Sequence, residues 1–462
     1  MRTFDVVVVG GGPSGEEAAG RLADAGLHVA VVEGRLIGGE CAHWACIPSK
    51  ALLRPPEALA ETRRIPGARE SLNGGPNVAA VLARRDEVIG MDQRTGKPGD
   101  AQLTPWLDKH GVTLVRGRAR LVGERRVATH SEELEARRAV ILAAGSEPLI
   151  PPIEGLARLG GVWTNTEATT TEEIPGRLVI VGAGPVGVEM AQAFQKLGSQ
   201  VTLIEGEARV LPTHEEFACV QVTEALRAYG VEVRTGQRAI HFDRNGEAYS
   251  VTTSGGEQVQ GDVVLVALGR KAPTDDIGLE VVGLNPGGYL IVDRHMRVQD
   301  VPWLYAIGDV NGRAMFTHMG KYQARIAVDC ILGNRTGITH GADGSQAPSV
   351  IFTDPQVASV GHTTETATAA GIDFDAYDTQ TSGNAGGLFY GPNAPGTARF
   401  VVDRDRRVLI GCTITGSEVA DFIHAATIAV VGEVPLERLR HAVPPFPTRS
   451  EIWLSLLLQA GV

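Results

Sequence analysis

At 462 residues the chain is too long for a single core, and a length of this order predicts about three domains. A hydrophobic content of 43%, a charged content of 21% and 57 glycines describe a folded, turn-rich globular protein rather than a disordered one. The formal charge of −11 disfavours nucleic acid or an anionic membrane as the main partner, because both select basic surfaces, and leaves small molecules as the better expectation.

Phe4 to Val9 reads as a buried strand: its Val6-Val7-Val8-Val9 run is too short for a signal-peptide core and leads straight into glycines. No stretch of about 18 apolar residues is available to cross a bilayer. The strand is followed by Gly10-Gly11-Gly12-Pro13-Ser14-Gly15, a helical stretch to Ala25, and a second strand, Val29 to Glu33. Strand, glycine turn, helix and acid-tipped strand together form a dinucleotide fingerprint. In it Gly10 makes the tight turn, Gly12 admits a pyrophosphate, Gly15 allows the helix to pack on the sheet, and Glu33 is placed to accept from an adenosine ribose.

Next comes Gly38-Gly39-Glu40-Cys41-Ala42-His43-Trp44-Ala45-Cys46-Ile47-Pro48-Ser49-Lys50, with two cysteines five residues apart at the expected start of a helix. Taken alone, Cys41 and Cys46 fit a metal half-site, a redox disulfide or two buried hydrophobes; a bonded pair would need its Cα atoms within about 6.8 Å. The other three cysteines, Cys219, Cys330 and Cys412, are isolated and make no disulfide framework, which points to a reducing cytoplasm. Pro48 removes a hydrogen bond to the Trp44 carbonyl and is expected to kink the helix, while Cys46 and Lys50 stand four apart on one helical face.

Asn77 to Met91 and Asp100 to Lys109 predict two helices joined by the turn-rich Gly96-Lys97-Pro98-Gly99. Val112 to Val115 and Ala139 to Leu142 predict strands, the latter running into Ala143-Ala144-Gly145-Ser146-Glu147-Pro148. The fingerprint then returns as Leu178 to Val181, Gly182-Ala183-Gly184-Pro185-Val186-Gly187, a helix, and Val201 to Glu205. Glycine and acid are 23 residues apart in both copies, and the second copy is displaced by 172 residues. Two such folds hold two dinucleotides, and an acid at each strand end favours a free ribose 2′-hydroxyl, hence FAD and NADH rather than NADPH.

Val263 to Ala267, ending in Leu268-Gly269-Arg270, repeats the strand-then-glycine ending of Gly145, and each returns the chain from a nucleotide fold. Trp303 to Asp309 is a strand ending in Gly308-Asp309, whose aspartate suits polyol hydroxyls or a simple turn cap. The last third changes to antiparallel signals: a hairpin of Ala398 to Val402 and Val408 to Ile414 around the polar tip Asp403 to Arg407, then helices over Ser417 to Val430 and Thr448 to Leu458. The fold class is therefore α/β, with two doubly wound dinucleotide-binding domains for FAD and NAD and a C-terminal α+β dimerisation domain. The boundaries read as 1–150 for the first part of the FAD domain, 151–271 for the NAD domain, 272–345 for a central domain completing the FAD domain, and 346–462 for the dimer interface.

Taken together, these motifs resemble the class I pyridine nucleotide-disulphide oxidoreductases, the group of lipoamide dehydrogenase, glutathione reductase and mercuric reductase. The resemblance runs essentially end to end. It implies a homodimer whose subunits complete each other's active sites, with NADH reducing the flavin and the flavin opening a Cys41–Cys46 disulfide. Cys46 would be the thiol against the flavin and Cys41 the interchange thiol that attacks substrate, with Lys50 near the flavin and paired with Glu189. The resemblance further implies FAD contacts from Gly10, Gly12, Gly15, Glu33, Gly39, Lys50, Ala119, Gly145, Gly308, Asp309 and Thr317. The NAD contacts would come from Gly182, Gly184, Gly187, Glu205 and Gly269. No metal site is expected, because a second pair of ligands is nowhere supplied.

One position departs from the family. The His-Pro-Thr-x-x-Glu segment, whose histidine handles the thiol proton from across the dimer, reads Phe446-Pro447-Thr448-Arg449-Ser450-Glu451 here. Phe446 thus stands where the base belongs, and Thr448 and Glu451 have the spacing of a helix capping box, which explains Glu451 without catalysis. Losing a general base commonly costs about 10² to 10⁴ in the step it serves, so reduction of ordinary disulfides is expected to be slow unless something substitutes. His43, inside the redox loop, is one candidate; His441 does not align with the missing base. Mercuric reductases and 2-ketopropyl coenzyme M reductase/carboxylase also lack this histidine. The chain, however, ends at Gly461-Val462 without the paired cysteines of the former, and it keeps a glutamate that the latter does not carry. The expected activity is transfer of electrons from NADH through FAD to a thiol or disulfide substrate. Direct reduction of quinones or metals by the flavin, or a flavin redox sensor without turnover, are the rivals.

Overall fold

The computed structural model describes residues 1–391, 394 and 396–462, which divide into two compact units. The first unit comprises Met1–Pro48, Arg85–Leu149 and Arg270–His340. Its seven-stranded sheet has a parallel centre in the order Thr113–Arg116, Val29–Glu33, Arg2–Val9 and Glu133–Leu142. Leu304–Ala306 joins the C-terminal half of Glu133–Leu142 in parallel, and Arg126–Ala128 pairs antiparallel with its N-terminal end, followed by Arg120–Gly123. Val6 to Val9 are buried to both sides, as expected of a parallel strand covered on two faces. On one face the helix Pro13–Asp24 packs against the helix Thr317–Ile331. Gly320 makes that approach possible, since a Cβ there would stand 2.2 Å from Ser14 Oγ.

The second unit comprises Ser49–Arg84, Ile150–Gly269 and Gly341–Val462. It contains a four-stranded parallel sheet in the order Glu232–Arg234, Gln200–Ile204, Arg177–Val181 and Val263–Val266, with the helix Pro185–Lys196 following its central strand. A separate five-stranded antiparallel sheet carries the expected hairpin as Thr397–Asp403 and Val408–Gly416. The helix Val419–Val431 packs on that sheet. A buried polar knot lies in this unit: Asp354, 3% exposed, accepts from Arg64 at 3.0 Å to both oxygens, from Tyr229 at 2.6 Å and from Lys196 at 3.4 Å.

Three local expectations need correction. The helix foreseen over Asn77 to Met91 is shorter, Val78–Val88, because Met91–Asp92 pairs as a strand with Lys97–Pro98. The helix foreseen from Asp100 begins at Thr104, since the Asp100 carboxylate accepts from the Ile37 N–H at 2.8 Å and from Arg116 at 2.6 Å. Pro48 does not kink a helix. One helix, Gly39–His43, ends at Trp44 (φ −138°, ψ 0°) and a new one, Cys46–Arg64, begins beyond it. Pro48 therefore lies in a first turn, where a missing N–H costs nothing.

Candidate active site

The two fingerprints fold alike, contact for contact. A Cβ on Gly10 would stand 2.3 Å from the Ala143 carbonyl oxygen, and one on Gly182 2.4 Å from that of Ala267. Gly15 and Gly187 are equally closed, at 2.0 and 1.9 Å from the carbonyl oxygens of Gly10 and Gly182. The middle glycines differ in kind: only the Gly39 Cα, at 3.9 Å, lies near the Cβ position of Gly12, and nothing lies within 4 Å of that of Gly184. These open positions sit at the N-termini of the helices Pro13–Asp24 and Pro185–Lys196, neither capped by a side chain. Each acid is held by the glycine loop it faces. Glu33 Oε2 accepts from the Gly11 N–H at 2.7 Å, and Glu205 Oε2 from the Ala183 N–H at 2.6 Å. Unobstructed backbone, uncapped helix starts and oriented carboxylates fit a pyrophosphate and an adenosine ribose on each fold.

The cysteine loop is tied directly to the first of these glycine turns. Gly38 N–H donates to the Gly11 carbonyl at 2.8 Å, and Gly39, at φ +58°, lies against Gly12. Among the described residues no disulfide is formed, so Cys41 and Cys46 stand as thiols. Thr317, which opens the helix Thr317–Ile331, joins them: its hydroxyl donates to Cys41 Sγ at 3.1 Å and lies 3.5 Å from Cys46 Sγ. The Cys41 thiol is pushed up by its hydrogen bond to Cys46, by burial and by the Cys46 charge; the Thr317 hydroxyl and the Lys321 ammonium pull the other way. The pair thus carries one negative charge more readily than two. His43 is buried, with Nε2 against the Ile37 carbonyl at 2.8 Å and Nδ1 without a hydrogen-bond partner.

A polar cluster at the ends of this unit's strands was not foreseen as a group. Ser146 Oγ donates to Asp309 Oδ2 at 2.6 Å, while Arg270 donates to Ser146 Oγ at 2.6 Å, to the Ser146 carbonyl at 2.8 Å and to Glu40. Asp309 was expected; Ser146, Arg270 and Glu40 were not, although the two glycine-terminated strand ends at Gly145 and Gly269 hinted at the first two. Gly145 has open space where a Cβ would stand, and Gly308 N–H donates to Gln323. Ala119 lies in the short link between the strands Thr113–Arg116 and Arg120–Gly123.

In the second unit Lys50 Nζ meets Glu189 Oε2 at 2.7 Å, Glu189 Oε1 accepts from the Phe352 N–H at 2.9 Å, and the Lys50 ammonium sits 4.8 Å from the Phe352 ring centre. Gly269 (φ +116°) has no atom within 4 Å of its Cβ position. Phe446 is 76% exposed. The capping box expected of Thr448 and Glu451 does not form. Thr448 Oγ1 turns back to the Pro445 carbonyl at 2.6 Å, and Arg449–Glu451 is a 3₁₀ turn leading into the helix Ile452–Gln459. Arg449, within this turn, is buried, donates to the Ser417 carbonyl and stacks 3.9 Å from the Tyr390 ring centre and 4.8 Å from that of Phe422. Glu451 Oε2 is left buried without a hydrogen-bond partner. A cavity of about 430 Å³ lies beside this turn, lined by Glu61, Arg64, Phe389, Tyr390, Phe422 and Arg449.

Among the described residues, no group of three or more His, Cys, Asp or Glu side chains is arranged to hold a metal ion, and no helix is long and apolar enough to cross a membrane.

Residues 4–324 match the family model described as pyridine nucleotide-disulphide oxidoreductase, and residues 347–456 match the dimerisation domain of the same family. A dihydrolipoyl dehydrogenase of Thermus scotoductus is 33% identical over 459 residues, covering 98% of this chain and 96% of the relative. A mercuric reductase of Staphylococcus aureus is 28% identical and covers 97% of this chain and 81% of its own length. Among solved structures, LpdA from Mycobacterium tuberculosis superposes with a TM-score of 0.85 at 25% identity over the full length of both chains. The HOCl-induced flavoprotein disulfide reductase RclA from Escherichia coli superposes at 0.84 with 23% identity, over 99% of this chain and 100% of its own.

Proposed function

The chain belongs to the pyridine nucleotide-disulphide oxidoreductases, and from that premise we propose that it is an NADH-preferring enzyme that reduces a thiol- or disulfide-type substrate at Cys41 and Cys46. As a family member it is an oxidoreductase with FAD and NAD(P)H as cofactors. Bound FAD supplies two-electron chemistry between a nicotinamide and a dithiol. Gly10, Gly12, Gly15, Glu33, Asp309 and their neighbours would hold the flavin nucleotide; Gly182, Gly184, Gly187 and Glu205 would hold the nicotinamide nucleotide.

The observation that carries the reading is the pairing of Cys41 and Cys46 across one hydroxyl, on a loop hydrogen-bonded to the first fingerprint. In the proposed cycle the Cys41 thiolate attacks a substrate sulfur, forming a mixed disulfide and releasing the first substrate thiol. Cys46 then attacks Cys41 Sγ, which releases the second substrate thiol and closes the Cys41–Cys46 bond. The two electrons end on the substrate thiols, and the two protons they need come from the enzyme thiols and water. Lys50 and Glu189 would order the flavin-facing side through their 2.7 Å pair. NADH rather than NADPH is favoured by Glu205, a carboxylate where a 2′-phosphate would need a cation.

The domain assignment 1–150, 151–271, 272–345 and 346–462 goes with this reading, and the match of residues 347–456 to a dimerisation domain supports a homodimer that completes each active site across the interface. Exposed Leu388, Phe389, Val443, Phe446 and Leu458, together with the unpartnered Glu451 Oε2, suit a surface that a second copy covers. The cytoplasm, where thiols stay reduced, suits such a dithiol.

The 28% identity to a mercuric reductase, together with Phe446 in place of a base, favours one second reading, reduction of a soft metal or a quinone. Anaerobic turnover of NADH and NADPH by the flavin-loaded enzyme against lipoamide, low-molecular-weight disulfides, quinones and mercuric ion tests both. The first reading requires turnover with a disulfide that disappears in Cys41→Ser; full activity of Cys41→Ser with the best acceptor favours the second.

A further inference from the structure

The polar cluster around Asp309 is assembled from separate chain segments of the first unit. Asp309 follows the strand Leu304–Ala306, and Ser146 follows that strand's parallel neighbour, Glu133–Leu142. Arg270 pairs across from Pro148, two residues beyond the serine, and Glu40 is the second residue of the helix Gly39–His43, directly before Cys41. Side-chain chemistry fixes the direction of the bonds. A guanidinium has donors only, so the Ser146 hydroxyl must accept from Arg270 Nε at 2.6 Å, and its single proton goes to Asp309 Oδ2, also at 2.6 Å. Asp309 Oδ1 has no hydrogen-bond partner among the described residues. Arg270 meanwhile faces two carboxylates and bonds one. Its Nη2 is paired with Glu40, while Asp309 Oδ2 stands 4.0 Å from Nε with the serine hydroxyl between them. Were Glu40 neutral, Asp309 would be the carboxylate left to this guanidinium, and a bidentate pair there would occupy both of its oxygens. With Glu40 charged, Asp309 is held by one oxygen and offers the other.

We infer, on the reading of Asp309 as a residue that holds the flavin nucleotide, that Glu40, Arg270 and Ser146 are its positioning residues. Glu40 acts by keeping the guanidinium off the Asp309 carboxylate. Ser146 acts by pinning Oδ2, so that Oδ1 is the oxygen offered to a polyol hydroxyl. Arg270 orients the serine, and its own backbone is fixed by the Tyr289 hydroxyl, which donates to the Arg270 carbonyl at 2.8 Å. Ser146 is buried, and Arg270 and Glu40 are only 22% and 21% exposed, so the network keeps its geometry largely out of water. Glu40 also precedes Cys41, and its ion pair therefore ties the dithiol helix to the residue that would receive the flavin.

The test is the affinity of the full-length chain, freed of flavin, for FAD, followed by the change in flavin fluorescence on titration. Glu40→Gln and Ser146→Ala are each expected to weaken FAD binding about 10-fold, and Asp309→Ala at least as much. Ser146→Ala leaves the charge of the site unchanged, so its loss is not a long-range effect on the pyrophosphate. Because both residues act through Asp309, each substitution is expected to change the affinity of the Asp309→Ala chain by less than about 2-fold. A residue that merely supports the fold lowers the affinity equally in both backgrounds. Wild-type affinity in either Glu40→Gln or Ser146→Ala, or a loss that persists in full in the Asp309→Ala background, overturns the inference. Asp309→Ala that binds FAD as tightly as the wild type overturns instead the reading of Asp309 as a flavin-holding residue, and the inference falls with it. Far-ultraviolet circular dichroism of each flavin-free variant reports that it is folded.

Discussion

Lys50 Nζ stands 2.7 Å from Glu189 Oε2, and the two differ in burial: the glutamate is 6% exposed and the lysine 34%. The pair is therefore asymmetric. Removing the lysine leaves a buried carboxylate with the Phe352 N–H as its remaining donor, whereas removing the glutamate leaves an ammonium that still reaches water. Lys50→Met is expected to be the more damaging change, lowering stability by about 2–3 kcal/mol. On the proposed flavin-facing role of Lys50 it is also expected to slow flavin reduction by NADH about 10-fold or more in stopped flow. Glu189→Gln, which keeps the shape and the acceptor for Phe352, is expected to cost less than half as much stability in urea unfolding. Equal losses for the two variants would refute the asymmetry.

Phe446 sets the second prediction. On the proposed disulfide-reductase reading, with no imidazole in the segment that ordinarily carries one, the leaving thiolate of an unactivated disulfide takes its proton from water. Phe446→His is expected to raise the steady-state rate with such a disulfide about 10- to 100-fold near neutral pH. The new rate should titrate near the ordinary histidine value of about 6.5. Activated disulfides with acidic thiols are expected to gain little, because they leave without help. A rate unchanged for both substrate types means that the missing base is not limiting.

Asp354 provides a prediction about stability alone. It is 3% exposed and gathers Arg64, Lys196 and Tyr229, with its own backbone N–H held by Gln192 at 2.9 Å. Burial by itself would raise its pKa, but Lys196 and Arg64 outweigh that and hold the carboxyl below its usual range. A depressed carboxylate contributes stability above its unfolded pKa and loses it as pH falls through the folded one. Asp354→Ala is therefore expected to cost about 3–5 kcal/mol at pH 7, because two cations are left buried without their anion. The deficit should narrow in acid, below the ordinary aspartate range. Denaturant midpoints at pH 7 and pH 3 measure both.

How far the sequence foretells this molecule depends on whether a residue's role is written in its neighbours. The two fingerprints are legible because their glycines are demanded by contacts a few residues away: Gly15 and Gly187 each press on the carbonyl of the loop's first glycine, so spacing alone reveals them. The Lys50–Glu189 pair was legible only through the resemblance to a known family, since 139 residues separate its members. The Glu40–Arg270–Ser146–Asp309 cluster bonds residues up to 230 apart in sequence and has no local pattern, which is why three of its four members were missed. Thr448 and Glu451 failed in the opposite way. Their spacing was right for a capping box, but the turn between them is a 3₁₀ turn built around a buried Arg449, and the threonine hydroxyl bonds back to Pro445 instead.

Glu16, the residue directly after the last glycine of the first fingerprint, gives the last prediction. Its carboxyl is pushed up from 4.5 to about 7, chiefly by burial, with Lys321 opposing and Glu33 adding to the rise. The sign of the consequence follows from proton binding. Between those two values the folded chain holds a proton that the unfolded chain has released, so stability falls as pH rises through the window and stays low above it. The full cost corresponds to about 3 kcal/mol above pH 7 and vanishes below about pH 4.5. Glu16→Gln is accordingly expected to match the wild type in urea unfolding at pH 4.5 and to exceed it by up to about 3 kcal/mol at pH 8. Lys321→Met removes a cation that restrains this group, so it is expected to deepen the alkaline loss in the wild-type background and to have almost no effect in Glu16→Gln. That non-additivity is the critical observation. If the two substitutions add simply at pH 8, Lys321 does not act on Glu16.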